Sequence, residues 1–150
     1  MIAKIKLEKY RWNHAIWFFF GLLNFEILKS AGVFQKKFIT KFMKSLISET
    51  KEKLWKFTII SDGTIIGGLD IVETSDGVFN IGIIIFKKYW GMGFGAGAMK
   101  KAFVKAKSLG AKKIVCTSYL YNKESIGLAK KLKFKKIRET KEEIIWEKIL

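Results

Sequence analysis

The sequence contains no proline, one cysteine (Cys116) and one histidine (His14). Each scarcity excludes something. Without proline there are no Pro-rich linkers, and turn-making falls to Gly, Asn, Asp and Ser. A lone cysteine cannot close a disulfide within the chain, and with a single histidine it cannot build a Cys/His zinc cluster. Acids are also scarce: 13 Asp and Glu stand against 29 Lys and Arg, a net charge of +16. Such a surplus favours anionic ligands, whether phosphates, nucleic acid or an anionic membrane face. Long apolar runs are missing too. The stretch 15–23 is broken by Asn24 and Glu26, which leaves it too short to span a bilayer. Lys4, Lys6, Glu8, Lys9 and Arg11 precede it, which does not suit an export signal. A cytoplasmic, reducing location is the resulting expectation.

What is present is a globular composition of one domain's length: 150 residues, 49% hydrophobic and 28% charged. Residues 1–7 alternate as a half-buried strand does. Residues 12–29 read as a helix with a wide apolar face (Ile16, Trp17, Phe20, Leu23, Ile27), directed at the core or at a second copy of the chain. A second helix fits 35–47, followed by a polar loop over 48–53. Strands are expected at 55–60, 64–73 and 79–86. The turns Asp62-Gly63 and Ser75-Asp76-Gly77 between them predict an antiparallel meander. After Gly97 the spacing becomes helical up to Gly110, a C-terminal cap. A strand at 113–118, a helix at 124–132 and strands at 134–137 and 143–149 complete the chain. The expected fold is α/β of the α+β kind, a single-layer, mixed, mostly antiparallel twisted sheet flanked by helices.

The densest chemical signal is Tyr89-Trp90-Gly91-Met92-Gly93-Phe94-Gly95-Ala96-Gly97, between a strand and a helix. Alternating glycines let backbone N–H groups approach an anion, and the helix N-terminus adds unpaired donors and a positive dipole end. The combination suits a phosphate or pyrophosphate. The plainer reading is a turn packed against the sheet. Gly93, Gly95 and Ala98 also fit a loose G-x-G-x-x-A pattern. Against a dinucleotide site, however, residues 87–90 separate the strand from the glycines, and the stretch 114–121 offers no acid for a ribose. A Gly-Lys-Ser/Thr tripeptide for a nucleoside triphosphate is lacking as well.

At these residues the chain resembles the GNAT superfamily of acetyl-CoA-dependent N-acetyltransferases. Their pyrophosphate motif is Arg/Gln-x-x-Gly-x-Gly/Ala, and Trp90-Gly91-Met92-Gly93-Phe94-Gly95 is similar to it, with Trp90 in first place. The run from Asn122 and Ser125 to Lys131-Leu132-Lys133-Phe134 resembles the Asn-x-x-Ser … Lys-Leu-Gly-Phe helix of the ribosomal-protein N-terminal acetyltransferase branch, with Lys133 where Gly is usual. The resemblance covers about residues 55–150. It implies the acyl-CoA acyltransferase fold in one domain over 1–150. It also implies acetyl-CoA as donor and a primary amine, on a protein N-terminus or a small molecule, as acceptor. Backbone groups of Ile83 and Ile85 would pair with pantetheine, and those of Gly91, Met92, Gly93, Phe94, Gly95, Ala96 and Gly97 would hold the pyrophosphate. The Asn122 side chain would bond the pantetheine arm, or else cap the helix behind it.

Acyl transfer needs a proton acceptor for the amine and a donor at the leaving sulfur. The positions where relatives keep these groups hold Ala129, Asn80 and Thr117 instead. Ser125 is the expected donor, with Tyr119 and Tyr121 as alternatives; its plainer role is to satisfy the first turn of its helix. Asp70 and Glu73 are the expected acceptors, working through water, unless they are merely solvated; His14 is a third candidate. Cys116 reads as a buried structural thiol. Two other classes compete: a CoA-binding regulatory or interaction module without turnover, suggested by the empty acid–base positions, and a nucleic-acid binder, suggested by the charge. The lysines are scattered with no aromatic-interleaved patch, which disfavours the latter.

Overall fold

The computed structural model of the protein describes residues 4–14 and 53–150. Among these residues seven strands form one sheet in the order β1-β2-β3-β4-β5-β7-β6. They are β1 (Ile5–Lys9), β2 (Leu54–Ser61), β3 (Thr64–Ser75), β4 (Val78–Ile85), β5 (Lys113–Tyr119), β6 (Lys135–Glu139) and β7 (Glu143–Ile149). Two helices lie among the described residues, α1 (Phe94–Ser108) between β4 and β5, and α2 (Lys123–Lys131) between β5 and β6. The expected helix at 35–47 and the apolar face from Ile16 onwards, with its suggested self-association, lie outside the described residues. At Trp12–His14 the chain makes a single 3-10 turn.

The meander β2-β3-β4 is antiparallel throughout, as its two Asp-Gly turns imply. At the first turn both Asp62 and Gly63 have positive φ, 47° and 76°, the conformation a tight hairpin requires. Among the described strands β4 and β5 alone are parallel neighbours, because α1 crosses over between them. β6 forms one edge. All five of its residues are exposed, Lys135, Lys136 and Arg138 among them, and its ladder with β7 is irregular between Lys136 and Arg138.

The core lies between the sheet and α1. Ile59, Ile66, Ile71, Phe79 and Ile114 are fully buried, and Ala98, Met99, Ala102 and Ala106 of α1 join the same cluster. Each large side chain so buried contributes on the order of 1.5–3 kcal/mol. The alanines let the helix ride close to the strands. Two boundaries differ from the sequence reading. The first strand runs Ile5–Lys9, with Lys4 outside it, and residues 1–3 of the expected strand lie outside the described residues. The helix begins at Phe94, before Gly95 and Gly97, which reading by spacing alone places in the turn. Gly97 sits inside the helix because a Cβ there would run into the Ile5 side chain, so packing has outweighed helix propensity.

Both helices end in the same Schellman cap. In α1, Ala111 N–H donates to Ala106 O and Gly110 N–H to Lys107 O, with Gly110 at φ 99°. In α2, Phe134 N–H donates to Ala129 O and Lys133 N–H to Lys130 O, and the left-handed place at φ 58° is held by Lys133. A lysine there carries a steric cost that glycine lacks. Gly127, by contrast, lies within α2 with nothing near the position of a Cβ. Lys133→Gly and Gly127→Ala are each expected to stabilise the fold, by about 1 kcal/mol. Chemical denaturation of the two variants and the parent checks both.

Candidate active site

The parallel ladder between β4 and β5 is short. It joins Val78 to Lys113, Phe79 to Ile114 and Asn80 to Val115, and then stops. β4 runs on to Ile85 and β5 to Tyr119, so the two strands part. The gap opens into a cleft of about 580 Å³ lined from both strands, the Trp90–Ala96 turn and α2. Trp90 Nε1–H donates to Ile85 O at 2.6 Å, which shows that this carbonyl faces away from β3. Backbone direction alternates along a strand, so the N–H and C=O of Ile83 also face the gap. Trp90, at the place where the related motif has Arg or Gln, thus anchors the turn to the strand edge.

At one mouth of the gap lies the glycine turn. Gly91 (φ 73°) and Gly93 (φ 81°) are left-handed, and nothing occupies the space where their side chains would be. Gly93 is the N-cap of α1 and has no side chain to satisfy the first helical N–H groups. The backbone of this turn therefore presents donors and a positive dipole end to open space, a cradle that fits a pyrophosphate.

Asn122 caps α2: its Oδ1 accepts the Ser125 N–H at 2.9 Å, and the residue also lines the cleft. The Ser125 hydroxyl is not spent on the helix. Its Oγ lies 2.7 Å from Ser118 Oγ, and the buried Ser118 in turn accepts the Trp146 indole N–H at 3.1 Å. Ser118 is the residue that sequence reading missed. Its signal was weak: a serine alternating with Ile114 and Cys116 on one face of β5. Cys116 is half-buried on the same strand, and burial pushes its thiol up to about 12, so it is inert at neutral pH. Tyr119 alternates to the other face of β5, and its ring stacks parallel on Tyr121 at 5.3 Å.

That other face carries a row across three strands. Lys56 of β2 stands beside Asp70 of β3, and Asp70 beside Gly82 of β4. Lys56, Asp70, Gly82 and Tyr10 all line the cleft. A Cβ at Gly82 would strike the Asp70 carboxylate, so the missing side chain is what admits the acid. Burial raises the Asp70 carboxyl above its ordinary 3.8, opposed by hydrogen bonds from its own and the Gly82 backbone and by attraction to Lys56. Burial likewise lowers Lys56. The other two acceptor candidates are engaged elsewhere. Glu73 is paired with Lys53 at 2.8 Å, and His14 is buried with its Nδ1 2.7 Å from Thr58 Oγ1. Neither lines the cleft.

The fold that carries this opening is shared with known structures. A domain from Methanocaldococcus jannaschii superposes with a TM-score of 0.81 at 24% identity, covering 99% of each chain. A spermidine N-acetyltransferase from Vibrio cholerae, in complex with CoA and spermine, gives 0.78 at 14% identity over 97% of this chain and 95% of that one. A ribosomal L7/L12 α-N-protein acetyltransferase gives 0.76 at 12% identity over 100% and 93%. At such identities the likeness is one of fold. Among curated proteins none matches the sequence. Among the described residues no helix is long and apolar enough to cross a membrane. The family described as acetyltransferase (GNAT) domain matches residues 28–135. With most of its length matched and the fold in agreement, the chain belongs to the GNAT acetyltransferase family.

Proposed function

We propose that the protein moves an acetyl group from acetyl-CoA to a primary amine by direct attack in a ternary complex. The observation that carries this reading is the parting of β4 and β5. It leaves backbone groups of a strand edge facing a cleft that reaches both the glycine turn and Asp70. When bound, acetyl-CoA supplies the thioester carbon that the amine attacks and the thiolate that leaves. Ile83 offers its N–H and C=O to the pantetheine amides; at Ile85 the carbonyl already accepts from Trp90. The backbone of Gly91, Met92, Gly93, Phe94, Gly95 and Ala96 holds the pyrophosphate and Asn122 flanks the arm, whereas Gly97, expected to join them, spends its N–H on the Gly93 carbonyl at 3.1 Å as the first regular bond of α1.

Asp70 takes one proton from the incoming ammonium, through water, so that the neutral amine can attack. The attacking nitrogen then gives up a second proton, and the departing thiolate gains one, so the reaction releases one proton overall. Ser125 donates a hydrogen bond to the sulfur as negative charge collects there. Tyr119 lies on the Asp70 face and borders the acceptor. The regulatory alternative, binding without turnover, loses ground because a proton acceptor and a donor both line the cleft where relatives' acid–base positions are empty.

Charge bears on the acceptor. The cleft is lined by Lys56 and Lys131 and by Asp70 and Glu124, so it does not offset the net charge of +16. A polycation is repelled at long range, most at low salt. A protein N-terminus or an amino-acid-like amine, with neutral or acidic groups beside it, suits the cleft better.

Three outcomes are expected. Acetyl-CoA and CoA should each stabilise the fold, by about 2.7 kcal/mol at a hundredfold excess over the dissociation constant. A thermal shift measures this, and no shift overturns the assignment. Gly93→Val is a poor probe of binding, because φ 81° makes any β-branched residue there a folding defect.

Asp70→Asn should lower turnover by about a hundredfold or more. The parent's kcat/KM should rise with pH through a value above 3.8. The same substitution should stabilise. A raised folded value favours the folded state below 3.8, and that advantage is lost as pH rises through it. The variant should therefore melt higher than the parent at neutral pH, the difference closing below 3.8, as scanning calorimetry across pH will show.

Thiol release should be faster with peptides bearing an α-amine and an acidic or neutral flank than with spermidine, and the gap should narrow at high salt. Faster turnover of spermidine than of every peptide would show that net charge does not govern the choice.

A further inference from the structure

We propose that Ser118 and Trp146 are positioning residues that turn the hydroxyl proton of Ser125 into the cleft. The inference rests on the reading above that Ser125 faces the leaving sulfur.

Trp146 Nε1–H is a donor only, and its partner is Ser118 Oγ at 3.1 Å. Both residues are buried, at 3% exposure each. Ser118 therefore accepts at one side of its oxygen, and its own proton needs an acceptor. The Ser125 Oγ at 2.7 Å is the hydroxyl in reach. If Ser118 donates to Ser125, each polar atom of the set is used once, and the Ser125 proton is left to point elsewhere. In the reverse sense the Ser118 proton would be buried without this acceptor, a costly arrangement. The Ser125 backbone N–H is already bonded to Asn122 Oδ1, which fixes the first turn of α2 and with it the Cα–Cβ direction of Ser125.

The chain therefore runs indole N–H to Ser118, Ser118 to Ser125, and Ser125 to the cleft that both serines line. Hydrogen bonds in series polarise one another, so the terminal hydroxyl is a better donor than an isolated serine. No proton is transferred along the chain. Ser118 and Trp146 set only the direction and strength of the last donor. All three elements involved, β5, β7 and α2, are part of the packed fold, and β5 pairs with β7 over its full length. The donor is therefore preorganised before any ligand arrives.

The test reads the thiol of bound CoA and needs no acceptor. A well-aimed donor stabilises the thiolate, so the bound thiol should ionise at lower pH than free CoA. The thiolate is followed by ultraviolet difference absorbance against protein alone; Cys116, at about 12, stays out of the range. Ser125→Ala should reduce the thiolate fraction at a fixed pH about tenfold, and Ser118→Ala about threefold. Ser118→Thr, which restores a hydroxyl, should recover most of that loss. In the Ser125→Ala background, Ser118→Ala should add nothing, since the chain then has no end. Trp146→Phe, which removes the N–H, should behave like Ser118→Ala; if it fails to fold, the serine variants carry the test alone.

A parent-like titration for Ser118→Ala, with Ser125→Ala shifted, overturns the relay and leaves Ser125 in place. An equal effect of Ser118→Ala in both backgrounds also overturns it. An unshifted Ser125→Ala overturns the role of Ser125 and the relay with it. Failure of CoA to bind the parent overturns both, together with the cofactor assignment.

Discussion

Two parallel strands that stop pairing must each find other partners for their backbone groups. β4 and β5 stop after three residue pairs. Beyond Asn80 and Val115 the edge of β4 is turned towards a void, and the protein handles each group differently. Trp90 reaches back to take the Ile85 carbonyl. Ile83 keeps its edge turned to the cleft, where an extended ligand can complete the ladder as a missing strand would. The parting also joins the two faces of the sheet, which elsewhere are separated by continuous pairing. The glycine turn and the Ser125 network lie towards one face and the Lys56-Asp70-Gly82 row towards the other, and both reach the same opening.

Around that opening, positions are fixed by what is absent as much as by what is present. Gly82 has no Cβ, and the Asp70 carboxyl uses the room. Gly93 has no side chain to cap α1, and the first helical donors remain for an anion. Gly97 has none either, and Ile5 moves in, which ties β1 to the helix that carries the cradle. Site geometry and core packing thus both draw on glycines that leave room for a neighbouring side chain or a ligand.

Much of the architecture was legible in the sequence because its signals are local. Asp62-Gly63 and Asp76-Gly77 specify hairpins regardless of context, and the closing strand Glu143–Ile149 reads directly from its alternation. The glycine turn was legible as an anion cradle for the same reason. The start of α1 was not, since glycines at 95 and 97 lower helix propensity, and the close approach of Ile5 to Gly97 is visible only in the fold. Nor was the choice between Asp70 and Glu73. Three residues apart on one strand, they differ because one meets a glycine across the ladder and the other meets Lys53. Ser118 was overlooked because a strand serine carries no signal until its neighbours across space, Trp146 and Ser125, are known.

The exposed edge strand β6 bears on how copies of the chain can meet. A sheet edge is the natural place for another strand to add. Here it presents Lys135, Lys136 and Arg138 in a stretch of five exposed residues, with an irregular ladder behind them. Two such edges laid side by side would set cation against cation, on molecules that each already carry +16. Continuous sheets and fibrils that grow through this edge are therefore opposed by charge, which the Lys136–Glu139 pair offsets only in part.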